Sequence, residues 1–212
     1  MHNFLFGIYP YIALSVLVIG SIARYETDPF TWKTSSSQLL RRKQLILGSV
    51  LFHLGILVIF FGHFVGLMTP IQIFDALGIS HSAKQLLAMG AGGIAGVLSL
   101  IGGLLLLHRR LFDSRIRKTS SFADIGILAI IVLQLILGIG TIFVSAQHLD
   151  GHEMTKFMTW TQKIVTFRAG AAEEIADVAL IFKLHMFLGL TIFVLFPFTR
   201  LVHMLSAPIR YV

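Results

Sequence analysis

The sequence predicts an all-α protein that folds as one transmembrane bundle of five helices. Apolar residues make up 56% of the 212 residues and charged residues only 13%, about half the charged share of an ordinary soluble domain. The apolar residues form five long runs, each near the roughly 20 residues with which a helix crosses about 30 Å of hydrocarbon. These spans are 4–23, 45–68, 85–107, 122–146 and 178–205. No linker or long repeat divides them, so residues 1–212 are predicted to form a single membrane domain.

The first span, "FLFGIYPYIALSVLVIGSIA", is expected to remain as a membrane helix. A secretory signal peptide begins with basic residues. Here no Lys or Arg precedes the span, and Arg24 follows it.

Basic residues cluster after the first and third spans, which predicts the orientation of the bundle. The clusters are Arg24, Lys33, Arg41, Arg42 and Lys43, and Arg109, Arg110, Arg115, Arg117 and Lys118. Loop 69–84 has only Lys84, and loop 147–177 has more acidic than basic residues. Because Lys and Arg favour cytoplasmic loops, we expect the N-terminus outside and the C-terminus in the cytoplasm. The net charge of +7 is thus interpreted as a topology signal, and no nucleic-acid partner is expected.

Four histidines, His53, His63, His185 and His203, lie within the second and fifth spans. A polar side chain in hydrocarbon is costly and usually faces the bundle interior with a partner. Neutral imidazole is an axial ligand of haem iron, and two opposed histidines fill both axial positions. The pattern therefore predicts two b haems held by histidine pairs. The absence of Cys excludes thioether-linked haem, Cys-bound Fe–S clusters and Cys-ligated zinc.

The predicted orientation sorts these histidines into an outer pair, His63 with His185, and an inner pair, His53 with His203. On straight helices the spacing within the second span gives about 15 Å and that within the fifth about 27 Å. Helix tilt, haems at different heights or a kink at Pro197 must absorb the difference. On an ideal helix His185 and His203 would share one face.

Several other polar residues have both a functional and an ordinary structural interpretation. Lys84 could hydrogen-bond a quinone oxygen or extend to the membrane interface, and position alone favours the interface. His148 and His152 have helical metal-pair spacing but no third ligand nearby, which argues against zinc. The remaining basic residues are interpreted as interface residues, topology determinants or haem-propionate partners: Lys183, Arg109, Arg110 and Arg200.

Glycines are abundant in the third span and also flank His63. In the third span they favour close helix packing over haem contact. Beside His63, Gly62 and Gly66 are expected to leave room for a haem, because a bulky side chain there would crowd the ligand.

Two other classes of protein were considered. A transporter that relays protons through histidines would bind no haem and would favour carboxylates within its spans, where only Asp124 comes close. A purely structural membrane anchor would not need two pairs of ligands.

The chain also resembles a known family in segments that carry these residues. "LFHLGIL", "GHFVGLMTP", "AGGIAGVLSLIGGLLLLHRRLF", "SAQHLDG", "VTFRAGA" and "LFPFTRLVH" resemble the gamma subunit of respiratory nitrate reductase, in order and over nearly the whole chain. The resemblance implies a five-helix diheme cytochrome b of the cell membrane of bacteria or archaea. Such a subunit oxidises quinol near the outer face and passes electrons to an Fe–S beta subunit and a molybdenum alpha subunit on the cytoplasmic side.

The resemblance also assigns residues within this chain. It places the haem-iron ligands at His53, His63, His185 and His203 and the quinol contact at Lys84. Quinol would then bind between His63, Gly66 and Lys84. A related subunit that serves another cytoplasmic reductase, heterodisulfide-reductase-like or sulfite-linked, remains the alternative.

Overall fold

A computed structural model describes residues 1–28 and 40–205, which are helical with no strand within these ranges. Five helices in the described ranges are long and apolar enough to cross a membrane: Phe4–Thr27, Arg42–Met68, His81–Phe112, Phe122–Ser145 and Leu180–Phe198. The predicted fold class is therefore confirmed. Lys33, one of the basic residues in the topology argument, lies outside the described residues.

The helices are labelled here in chain order. The long ones are α1 (Tyr9–Thr27, after a π-helical turn at Phe4–Ile8), α2 (Arg42–Met68), α4 (His81–Phe112), α6 (Phe122–Ser145) and α9 (Leu180–Leu195). The short ones are α3 (Ile71–Ala76), α5 (Ser114–Lys118), α7 (His152–Val165) and α8 (Ala171–Glu174). Two 3₁₀ turns, Phe196–Phe198 and Arg200–Leu205, follow α9.

The long helices contact one another in the order α2, α4, α6, α9 and α1. In this order α4 and α6 connect α2 and α9, the two helices expected to carry histidines. Glycines permit the close contact of α2 with α4. A Cβ on Gly55 would lie only 2.5 Å from the Ala95 carbonyl oxygen, and Gly102 abuts the α2 backbone in the same way. Ser99 Oγ donates a hydrogen bond of 3.1 Å to the Phe52 carbonyl. These contacts agree with the packing role expected for α4 glycines.

The end of the bundle at which α1 begins, called the N-terminal face here, is covered by α7. The segment 147–177 is a loop by its sequence, but it contains the helices α7 and α8. The buried Trp160 donates its Nε1–H to the Phe6 carbonyl at 2.9 Å. Gln162 donates to the carbonyls of Leu67 and Thr69 at 3.2 and 3.3 Å. Helix α7 is thus tied to the start of α1 and the end of α2.

The fifth span is not one helix through Leu205. Helix α9 ends at Leu195, and Thr199 is extended, with φ −124° and ψ 178°, between the two 3₁₀ turns. Pro197 cannot donate a backbone hydrogen bond and disfavours a continuing helix. Arg24 Nη1 donates to the carbonyls of Pro197 and Thr199 at 2.7 and 2.9 Å. The chain therefore breaks at Pro197, which is one of the three explanations for the unequal spacings, and His185 and His203 do not lie on one continuous helix.

Candidate functional site

The four membrane histidines meet as two pairs, and these are the pairs that the topology argument predicts. The ring centroids of His63 and His185 are 6.2 Å apart, with the planes at 41°. Those of His53 and His203 are also 6.2 Å apart, with the planes at 76°. Two imidazoles on opposite sides of one metal ion, each with a metal–nitrogen bond of about 2 Å, have centroids about 6 Å apart. Both pairs have the separation of trans ligands.

Three of the histidines use Nδ1 for a hydrogen bond with a backbone carbonyl. His53 Nδ1 lies 2.8 Å from the Ser49 oxygen, and His63 Nδ1 lies 2.9 Å from the Ile59 oxygen. His203 Nδ1 makes the same contact with the Arg200 carbonyl. A carbonyl can only accept, so Nδ1 carries the proton and Nε2 keeps its lone pair. This is the tautomer that binds a metal through Nε2.

His185 is held differently, by residues of α6. A Cβ on Gly138 would lie 2.9 Å from His185 Cε1, so this glycine makes space for the ring. Gln134 Nε2 donates to the His185 carbonyl at 3.0 Å and lies 3.4 Å from His185 Nε2. Sequence reasoning missed Gln134, although a lone amide in the middle of the fourth apolar span was the signal for it.

The residues at each pair fit a haem better than a bare metal ion. The described residues contain no group of three or more His, Cys, Asp or Glu that could hold a metal ion. A protein zinc site needs three or four such ligands, whereas haem iron needs only axial ligands from the protein. His148 lies in the connection between α6 and α7, and His152 begins α7, so these two do not share a helical turn.

Lys84 is buried, with 6% of its surface exposed, so it does not extend to the interface as its position alone suggested. Its Nζ donates to the Gly66 carbonyl at 2.8 Å, which places it one turn of α2 from His63. Other neighbours are the sulfurs of Met158, at 2.9 Å, and Met154, at 3.7 Å, and the ring of Phe74, whose centroid is 4.5 Å away. No sequence pattern pointed to these two methionines of α7.

The other basic residues considered as propionate partners contact protein groups. Lys183 Nζ donates to the Ala176 carbonyl at 2.7 Å, at the N-terminal face. The arginines lie towards the opposite face: Arg109 contacts the Leu40 carbonyl, Arg110 donates to Ser120 Oγ at 2.8 Å, and Arg200 lies 3.8 Å from Asp124. None of these contacts brings a basic side chain to a histidine ring.

Ion pairs outside the spans fasten α7. Lys156 Nζ lies 2.7 Å from Asp177 and 3.0 Å from Glu153. The hydrogen bond with Asp177 raises the pKa of Lys156, and the same bond lowers the pKa of Asp177. Lys163 pairs with Glu174 of α8. These pairs hold the cover over the N-terminal face.

Comparison with known proteins covers the whole bundle. The family profile described as nitrate reductase gamma subunit matches residues 2–212. The respiratory nitrate reductase 1 and 2 gamma chains of Escherichia coli (strain K12) are each 52% identical over 211 residues, which is 100% of this chain and 93% of each relative. The nitrate reductase gamma chain of Bacillus subtilis (strain 168) is 41% identical over 207 residues, covering 98% of this chain and 92% of the relative.

Proposed function

Because the chain belongs to the family of nitrate reductase gamma subunits, we propose that it is the diheme cytochrome b subunit that oxidises quinol for a respiratory nitrate reductase. As a family member with five spanning helices, it is a multi-pass membrane protein of a bacterium and a component of an oxidoreductase complex. The proposal adds the two haems, the quinol site and the route of the electrons. The electrons pass to an Fe–S beta subunit and then to a molybdenum alpha subunit in the cytoplasm, where nitrate is reduced.

The two equal histidine separations carry this proposal. Each pair brings two imidazoles together at 6.2 Å, and a haem b bound there would supply a one-electron redox centre. His63 and His185 would hold one haem, and His53 and His203 the other. The backbone carbonyls of Ser49, Ile59 and Arg200 keep three of these rings in the ligating tautomer.

The orientation follows from the charge of the two ends. Arg41, Arg109, Arg110 and Arg115 lie towards the end opposite the N-terminal face, which is therefore assigned to the cytoplasm. The pair His63–His185 is then outer and the pair His53–His203 inner. Moving one charge across the membrane is worth about 2.3 kcal/mol per 100 mV. Proton release outside and electron delivery inside would therefore contribute to the proton-motive force.

Lys84 is the proposed quinol contact on the outer side. An ammonium has three N–H donors, and here one meets the Gly66 carbonyl while the others face thioether sulfurs. Sulfur is a weak acceptor, so these donors can engage a quinol oxygen more favourably. Since Gly66 is one turn from His63, Lys84 would hold the quinol beside the outer pair.

A proton-relay transporter finds less support in the described spans. Asp124, the carboxylate nearest to a span interior, forms the capping box that starts α6. It is therefore occupied at a helix end and does not lie between the histidines.

The proposed function is tested by adding a quinol anaerobically to the purified complex and following the absorbance of the b haems. We expect rapid reduction by quinol, followed by reoxidation when nitrate is added. The His63→Ala variant is the matched control, because it keeps the inner pair and loses an outer ligand. Haems that dithionite reduces but quinol does not would contradict the quinol-oxidising role.

A further inference from the structure

Helix α6 carries one amide, Gln134, in the middle of an otherwise apolar segment. Its Nε2 lies 3.0 Å from the His185 carbonyl oxygen. A polar group in hydrocarbon is costly unless it finds a partner on a neighbouring helix. The amide therefore joins α6 to α9 at the residue that carries the outer-pair imidazole.

The carbonyl contact fixes which way the amide points. A backbone oxygen only accepts, so the nearer amide atom is the nitrogen donor. The same Nε2 lies 3.4 Å from His185 Nε2. An N–H that donates to this ring nitrogen would occupy the lone pair with which a metal is bound, so the contact that can persist beside a bound haem is the one with the carbonyl.

Two glycines permit this arrangement. A Cβ on Gly189, one turn after His185, would lie 3.2 Å from Gln134 Nε2, so its absence lets the amide reach the α9 backbone. Gly138, one turn after Gln134 on α6, leaves room for the ring itself, since a Cβ there would lie 2.9 Å from His185 Cε1. The backbone and the ring of His185 are thus both positioned from α6.

His185 differs from the other three histidines at Nδ1. His53, His63 and His203 direct Nδ1 to a backbone carbonyl. His185 Nδ1 is buried and has no hydrogen-bond partner among the described residues. His185 therefore lacks the backbone contact that orients the other three rings, and its position depends on α6 through Gln134 and Gly138.

We propose that Gln134 is a positioning residue for the outer haem ligand: its hydrogen bond to the His185 carbonyl fixes the backbone of His185 against α6, while Gly138 provides the space for the ring. This inference rests on the proposed function, because it presumes that His185 is a ligand. It concerns only the His63–His185 pair, so the His53–His203 pair serves as an internal reference.

The test compares Gln134→Leu with Ile136→Leu in the purified complex. Ile136 lies on the same helix, is about half exposed at 49% and makes no polar side-chain contact. The readouts are haem content, the low-spin EPR signals and the midpoint potentials of the two haems. We expect Gln134→Leu to shift the EPR signal and potential of the outer haem and to weaken its retention roughly tenfold or more, as when other outer-shell partners of a metal ligand are lost. The inner haem and the Ile136→Leu protein should match wild type.

Gly138→Ala is the second variant, since the added Cβ must displace the His185 ring without removing any hydrogen-bonding group. It should perturb the same outer-haem signal, and it decides the question if Gln134→Leu does not assemble. Unchanged outer-haem signals, or equal changes in both haems, in these variants would overturn the positioning role. A wild-type protein without an outer haem would instead overturn the proposed function, so the two failures are distinguishable.

Discussion

The imidazole of His203 lies opposite that of His53, with the ring centroids 6.2 Å apart, although α9 ends at Leu195. The intervening chain is held by Arg24, which donates to the carbonyls on both sides of Phe198. The inner pair therefore depends on a broken helix and on one arginine from α1, whereas the outer pair is formed between two regular helices.

Arg24→Ala should loosen the segment that carries His203. Hydrogen bonds from a charged donor contribute on the order of 1–3 kcal/mol, and two are lost here. We expect lower thermal stability and earlier loss of the inner haem on heating, with the outer haem retained. Difference spectra recorded during a thermal ramp measure both. Arg24→Lys keeps the charge but not the paired donors, and an inner haem as stable in Arg24→Ala as in wild type would show that the contact is unimportant.

Replacing single ligands should separate the two haems. His63→Ala or His185→Ala is expected to remove the outer haem and largely spare the inner one, because each ring faces only its own partner. His53→Ala or His203→Ala should affect the inner haem first. Potentiometric titration of each variant resolves which centre is lost. A crossed result, in which His53 and His185 variants lose the same haem, would refute the pairing.

Lys84→Ala should slow quinol-dependent haem reduction while leaving both haems bound. Both haems should stay bound because Lys84 contacts Gly66 and two methionine sulfurs and makes no contact with the rings of the histidine ligands. Stopped-flow reduction by quinol and the affinity of quinol-analogue inhibitors are the measurements. Lys183→Ala, at the same face, is the matched control. Wild-type kinetics and inhibitor affinity in Lys84→Ala would move the quinol site elsewhere around His63.

The attachment of α7 should depend on pH through Asp177 and Lys156. The pKa of Asp177 is below its ordinary value of 3.8. The stabilisation that the Asp177 carboxylate gives to α7 is therefore complete above pH 3.8 and is lost as the pH falls through the lower, folded-state pKa. The pKa of Lys156 is above 10.5, so its contribution is complete below that value and is lost as the pH rises through the folded-state pKa. At neutral pH, Asp177→Asn should speed hydrogen exchange of α7, and its difference from wild type should shrink in acid. Glu173 is an exposed carboxylate of α8, and the control variant Glu173→Gln should leave the hydrogen exchange of α7 unchanged. Equal exchange rates in wild type and Asp177→Asn would refute the role of the ion pair.

The spans and the histidine pairs could be predicted from the sequence because they depend on the lengths of the apolar runs and on the direction in which each helix crosses the membrane. Membrane thickness fixes the length of each apolar run, and the direction of α2 and α9 fixes which histidines lie at the same depth. The unequal spacing of the pairs indicated that helix tilt, haems at different heights or a kink at Pro197 had to absorb the difference.

The parts that sequence reasoning missed depend on contacts between distant segments. Helix α7 is amphipathic and has no membrane-like signal, so its role as a cover follows only from its packing on Phe6 and Leu67. The buried position of Lys84 is set by Met158, far away in sequence. Gln134 was visible as a polar residue within a span, but its partner on α9 was not.

The central claim is that each histidine pair holds one haem b, and its most direct test is the haem stoichiometry of the purified, membrane-inserted protein. The account predicts two non-covalent b haems per chain by pyridine haemochrome analysis, both with low-spin bis-histidine spectra. Correctly inserted protein that contains one haem, or none, would contradict it.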